Sequence, residues 1–343
     1  MTQRNPYSLS FTILLLGLLF CFVLNISLGS VPISFQDTYT VLFGAKVDND
    51  SISYIIWNYR LPKAITAILV GGGLSLSGLL MQTLFRNPLA GPFVLGISSG
   101  ASFGAALLIM GASLFSGFLG MSLFDDLALA LASSAGSFLV LVLVLTVSIR
   151  VKDTMALLII GLMFGSITAA IVSVLSYFTE AEKLKQYIYW SFGSLGNLSW
   201  SQLGILTLCT VMGGLLSILS IKPLNALLLG ENYAQSLGVH LKKSRYQIII
   251  GTGLLAGAIT AFAGPIAFIG LAVPHLSRQI FKTTDHKILI PAVLFCGAIL
   301  MLLCDSVAQL PGSNSVLPIN AITSIFGAPV VIWLLVRKRK LNF

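Results

Sequence analysis

Arg60-Leu-Pro-Lys63 leads into a Gly/Ser/Leu-rich run that ends in Gln82-Thr-Leu-Phe-Arg-Asn-Pro-Leu-Ala-Gly-Pro-Phe-Val-Leu-Gly-Ile-Ser-Ser-Gly-Ala101. A basic pair stands before the apolar run, and a Pro- and Gly-rich break follows it. Hydrocarbon offers no water to unpaired backbone groups, so a break between two apolar segments must sit at an interface or be buried in protein. The stretch therefore predicts a membrane-embedded, all-α protein.

The rest of the chain agrees. Of 343 residues, 56% are hydrophobic and 9% charged, and the mean hydropathy is +0.96, outside the range of a soluble domain. Crossing the hydrocarbon takes about 20 helical residues. Segments of that kind are predicted at 10–29, 63–84, 93–111, 127–148, 154–177, 200–221, 246–263, 266–280, 288–308 and 321–336, ten spans in one transmembrane domain over 1–343. Pro265, Pro274 and Arg278 shorten the eighth, which reads as a broken helix.

Charge supports the even count. With the N-terminus inside, 15 of the 20 Lys and Arg fall in inner segments, among them the C-terminal run 337–340. Only Lys46, Arg60, Lys63, Lys183 and Lys185 lie outside. Basic residues concentrate on the cytoplasmic side of short loops, so both termini are expected in the cytoplasm. The net charge of +9 follows from topology and not from nucleic-acid binding. Arg4 and the apolar run behind it resemble a signal peptide, but the run is too long for one and reads as a retained first span.

Small residues recur at four-residue spacing, as in Gly96, Gly100 and Gly104 and in Gly161, Gly165, Ala169 and Ser173. They read as close-packing stripes, or as a smooth wall of a substrate path. Ala90-Gly-Pro-Phe-Val-Leu-Gly96 is echoed by Ala263-Gly-Pro-Ile-Ala-Phe-Ile-Gly270, a pattern expected of an inverted repeat in a transporter. The inner loop at about 222–245 is longer, and Leu227, Leu228, Ala234 and Leu237 could form an apolar face for a soluble partner.

No phosphate-binding GxxxxGK[ST] loop is present, nor HExxH or CxxC. His240, His275 and His286 are scattered, and Cys21, Cys209, Cys296 and Cys304 lie within spans as apolar fillers. An enzyme reading has no support, and no cofactor or metal site is expected. Ion-coupled transporters place charges at mid-membrane. Here Asp305 lies near the outer end of the ninth span and Arg278 near the inner end of the eighth.

Arg60-Leu-Pro-Lys63, Val70-Gly-Gly-Gly-Leu-Ser-Leu-Ser-Gly78, Gln82, Arg86-Asn-Pro-Leu-Ala90 and Leu95-Gly-Ile-Ser-Ser-Gly-Ala101 together resemble the permease subunits of ATP-binding cassette (ABC) importers for iron-siderophores, haem and cobalamin, the FecCD type. Leu229-Gly-Glu-Asn-Tyr-Ala-Gln-Ser-Leu-Gly238, Gly264-Pro-Ile-Ala-Phe-Ile-Gly-Leu-Ala-Val-Pro-His-Leu-Ser-Arg278, and Leu317-Pro318 with Thr323 and Phe326-Gly-Ala-Pro329 extend the likeness over nearly the whole chain.

The resemblance implies a ten-span type II importer permease in a bacterial cytoplasmic membrane. It pairs with a second permease, the same chain or a paralogue, and receives substrate from an external binding protein. A cytoplasmic ATPase dimer drives it. Arg60 and Lys63 are the implied docking residues for the binding protein, with lipid-headgroup snorkelling as the other reading of the pair. A third outer arginine of some members is Gln309 here. Asn87, Leu89 and Thr154 are the implied cytoplasmic gate, although Asn87-Pro88 also suits a plain turn. Leu229, Gly230, Glu231, Ala234, Leu237 and Gly238 are the implied coupling residues, and Gly161, Gly165 and Thr323 the implied path. An ion-coupled secondary transporter is the alternative function.

Overall fold

Backbone groups inside a membrane must bond within their own segment, and the apolar segments accordingly form helices. The computed structural model describes residues 7–29, 31, 33–42, 50–111, 126–151, 153–310 and 315–336. Both chain ends, Lys46 and Lys152 lie outside the described residues, and with them the expectation that the termini are cytoplasmic.

In chain order the helices are α1 Ser8–Ser27, α2 Phe35–Leu42, α3 Asp50–Ile55, α4 Leu61–Leu84, α5 Ile97–Ile109, α6 Asp126–Arg150, α7 Thr154–Phe178 and α8 Ala181–Ser191. They continue with α9 Trp200–Leu219, α10 Ile221–Leu228, α11 Glu231–Ser236, α12 Leu241–Thr252, α13 Ala258–Ala263, α14 Ile269–Phe281, α15 His286–Ala308 and α16 Ile319–Val336. Among the described residues all regular structure is helical.

Seven stretches are long and apolar enough to cross a membrane, and α5, α14 and α16 supply three shorter segments at the expected places. Two boundaries differ from expectation. The second span begins at Asp50 rather than 63, because a π turn at Ile56–Arg60 joins α3 to α4. Pro62 has no N–H to donate, and the wider turn ahead of it takes up the misfit. The third span is as short as the eighth.

Both short spans are broken in the same way. Gly96 (φ 72) and Phe268 (φ 66) adopt the left-handed conformation, and each starts a 13-residue helix. α5 then packs on α6 and α7, as α14 packs on α15 and α16. The echo between 90–96 and 263–270 thus marks matching breaks.

Lipid tails are as apolar as leucine, so the spans are held by close packing more than by hydrophobic drive. A Cβ added to Gly71 would lie 2.2 Å from the Gly297 carbonyl oxygen, and one on Gly78 would lie 1.7 Å from that of Gly270. α4 therefore touches α15 and α14 backbone to backbone and forms the buried centre of the bundle. Gly100 and Gly104 meet Gly136 and Ala132 of α6 in the same way. α1 packs along α15, with Phe11 against Phe281 and Phe295.

Candidate functional site

The Arg60 guanidinium points inward. It is 8% exposed, and Nη1 donates to the Ile26 and Ser27 carbonyls at 2.7 and 2.9 Å while Nη2 donates to the Val31 carbonyl. A surface cation free to pair with a partner was expected, and so was a headgroup contact. The structure instead uses Arg60 to tie the end of α1 to the π turn.

Lys63 lies one turn further on, and its Nζ is 3.1 Å from Asp305 Oδ1. Asp305 Oδ2 also accepts from Asn25 Nδ2 at 2.9 Å and Gln309 Nε2 at 2.8 Å. Gln309 thus turns inward onto the carboxylate. Arg60, Lys63, Asp305 and Gln309 line a cavity of about 510 Å3, together with Asn197 and Leu317.

At the other end of α4, the turn after Leu84 is closed by Arg86 N–H donating to the Thr83 carbonyl and Asn87 N–H to the Gln82 carbonyl. Arg86 takes a left-handed φ of 47. Asn87 Oδ1 accepts from Leu89 N–H at 2.9 Å, and His275 Nε2 lies 2.8 Å from the Pro88 carbonyl oxygen. Asn87 is thus the turn residue its sequence suggested, while Leu89 is exposed. Thr154 opens α7, capped by Asp153. Gln82 accepts from Arg278 Nη1 at 2.7 Å, so that cation too turns into the bundle.

The segment 221–240 folds as α10 and α11, reversed at Gly230 (φ 109) and Gly238 (φ 82). Leu227 and Ala234 are buried, in contrast to the expected apolar face, because both pack back on the bundle core. Leu229, Tyr233 and Leu237 are the exposed apolar residues, spaced four apart. Glu231 pairs with Arg245 at 3.1 Å. Arg86 joins Leu229, Gly230, Glu231 and Tyr233 around an open depression, so the turn after α4 and the two short helices share one surface.

The expected path residues make close local contacts. A Cβ on Gly161 would lie 2.1 Å from the Val94 carbonyl oxygen, Gly165 faces Ser99, and Thr323 is buried with its hydroxyl donating to the Asn320 carbonyl. These are packing positions. The exposed faces of the same helices carry Met163, Ile167 and Val174 on α7 and Ile325 and Phe326 on α16. Sequence reasoning did not single them out, because lipid-facing and path-facing apolar residues look alike. All four cysteines are free, and no group of three potential metal ligands occurs among the described residues.

A polytopic helical bundle with few, inward-turned charges and a small exposed helix pair at one end is the architecture of a transporter permease. Comparison with known proteins identifies which. Residues 17–337 match the FecCD transport family. The vitamin B12 import system permease protein BtuC of Klebsiella pneumoniae is 38% identical over 289 residues, 83% of each chain. That of Salmonella typhi is 37% identical over 290, covering 83% of this chain and 84% of its own. A solved structure described as an inward-facing conformation of a metal-chelate type ABC transporter superposes with a TM-score of 0.84 at 30% identity, over 96% of this chain and 100% of that one. The chain belongs to the FecCD transport family and is a permease subunit of an ABC importer.

Proposed function

We propose that this permease moves a cobalamin or a related metal chelate, an iron-siderophore or haem among them, across a bacterial cytoplasmic membrane. The cobalamin-importing relatives favour a corrinoid. An external binding protein delivers the cargo to the cavity at Lys63 and Asp305. Lys63 faces that protein, and Arg60 acts through the rim it holds at 26–31. Two permeases, the same chain or a paralogue, enclose the path between the exposed faces of α7 and α16. Leu89 with Asn87 and Thr154 closes its cytoplasmic end. ATP is hydrolysed by a partner ATPase dimer seated on Leu229, Tyr233 and Leu237, and Gly230 and Gly238 set the angle of the helices that meet it. Both termini are then cytoplasmic.

The observation that carries this reading is the exposed Leu229/Tyr233/Leu237 stripe beside the turn after α4, since an apolar patch at a membrane protein's aqueous end calls for a partner. The ion-coupled alternative finds Asp305 paired with Lys63 and Arg278 bonded to the neutral Gln82 amide near a helix end, with neither placed at mid-membrane. The deciding experiment purifies the tagged chain with its partners, reconstitutes it, and assays ATP hydrolysis with binding proteins loaded with cobalamin, ferric siderophore or haem. Stimulation by one loaded binding protein supports the reading and names the cargo. A folded chain recovered alone after cross-linking, with uptake that follows an ion gradient, overturns it.

A further inference from the structure

His286 has a place in neither the docking surface nor the gate, yet it is fully buried and joins three elements. It opens α15. Its Nδ1 lies 2.7 Å from Asn225 Oδ1 on α10, and its backbone N–H donates to the same oxygen at 2.9 Å. Its Nε2 lies 2.8 Å from Thr83 Oγ1 in the last turn of α4. The Asp285 carboxylate accepts Asn225 Nδ2 at 2.7 Å, which fixes the amide's orientation. An amide oxygen only accepts, so Nδ1 carries the imidazole proton and Nε2 is left to accept the Thr83 hydroxyl proton. That hydroxyl also lies 3.0 Å from the Leu79 carbonyl oxygen, which competes for the same proton.

Beyond Thr83 the chain of bonds continues. The Thr83 carbonyl holds Arg86 N–H, the Gln82 carbonyl holds Asn87 N–H, and Asn87 holds Leu89. On the other side, Asn225 sits one turn ahead of exposed Leu229.

We propose that Asn225–His286–Thr83 is the linkage that carries a displacement of α10 and α11 to the turn after α4. A cap alone does not require this histidine, because Asp285 already caps α15 by accepting from Lys287 N–H. A buried polar group left unpaired costs about 1–3 kcal/mol, so an apolar side chain would fill the place without that liability. Directional bonds to two helices at once fix the distance and orientation between them. His286 is a positioning residue, and the proposal rests on the ATPase-driven reading above.

The test uses the complex purified with its ATPase subunit, with the four native cysteines replaced by alanine and Leu89→Cys as a reporter. Maleimide labelling at position 89 is timed with and without ATP plus vanadate. In the parent, nucleotide changes the rate by at least about fivefold, the lower end of allosteric coupling. His286→Phe is expected to abolish that change while ATP hydrolysis continues. Thr83→Val, which keeps the side-chain shape, is expected to weaken it and to add nothing in the His286→Phe background. A parental nucleotide response in Thr83→Val and His286→Phe overturns the linkage, as do additive effects of the two substitutions. A parent that does not respond to nucleotide at all points instead to failure of the ATPase-driven reading.

Discussion

Replacing Lys63 by methionine would strand a carboxylate inside the bundle. Asp305 has a side chain 3% exposed, and among the described residues Lys63 is its cationic partner, at 3.1 Å. Deleting one member of a buried pair costs about 3–5 kcal/mol. Two features lower that figure. Lys63 is 19% exposed, so water already screens the pair in part, and Asn25 and Gln309 still donate to the carboxylate. The expectation for Lys63→Met is therefore about 2–3 kcal/mol. Asp305→Asn should cost less, about 1 kcal/mol, because the lysine can extend its ammonium toward the cavity mouth. The double variant leaves no unpaired charge and should regain about 1–2 kcal/mol relative to the sum of the singles. Equilibrium unfolding in mixed micelles measures all four corners of the cycle. Additivity to within about 0.5 kcal/mol would refute the reasoning, since that is the behaviour of uncoupled sites.

Gly78→Ala places a methyl 1.7 Å from the Gly270 carbonyl oxygen, so α4 and α14 must part; a loss of about 1–3 kcal/mol is expected in thermal unfolding. Gly204→Ala on α9, with nothing within 4 Å, should be neutral or stabilising by up to about 1 kcal/mol. Gly238→Pro demands a φ near −65° where the chain has 82 and removes the N–H that bonds the Gln235 carbonyl. The protein should still insert, but uptake per ATP hydrolysed should fall steeply, and normal uptake would sink the coupling role. Burial alone would raise the Asp285 carboxyl, but hydrogen bonds from Lys287 N–H and Asn225, with the nearby charge of Lys287, hold it below its ordinary value. A depressed folded-state value adds stability above the unfolded pKa of about 3.9, lost as pH falls through the folded one. Asp285→Ala should thus cost about 1 kcal/mol at neutral pH through the lost cap, and should flatten that acid-side loss in a pH series of unfolding curves.

Span number and class were legible because each span's apolar length is a local property. Boundaries at charged residues were not. Arg60 and Lys63 read as the edge of the membrane, yet three carbonyls and Asp305 let them sit within a helical stretch that starts at Asp50. The Gly161/Gly165 stripe was visible, but a stripe does not say which neighbour it meets, and here that neighbour is the lead-in to α5. Helical periodicity across 227–237 failed because Gly230 resets the helix axis, which exposes Leu229 and buries Leu227. His286, Asn225 and Thr83 left no local signal, being far apart in the chain and joined only by tertiary packing.

The polar clusters also divide the molecule mechanically. Lys63–Asp305 fastens α4 to α15 at one end, Thr83–His286 fastens the same two helices at the other, and Gly71 and Gly297 meet between them. Three attachments along one helix pair make it a body that moves as a unit, since interdigitated contacts resist small sliding steps. α1, α7 and α9 are different: 17%, 17% and 22% of their spanning windows are buried, against 83% for the second span. Helices with few buried contacts have the lowest cost of displacement. In the proposed mechanism, force arriving at α10 enters the α4–α15 unit through His286, and the little-buried helices, α7 among them, are the elements that this unit displaces at least cost.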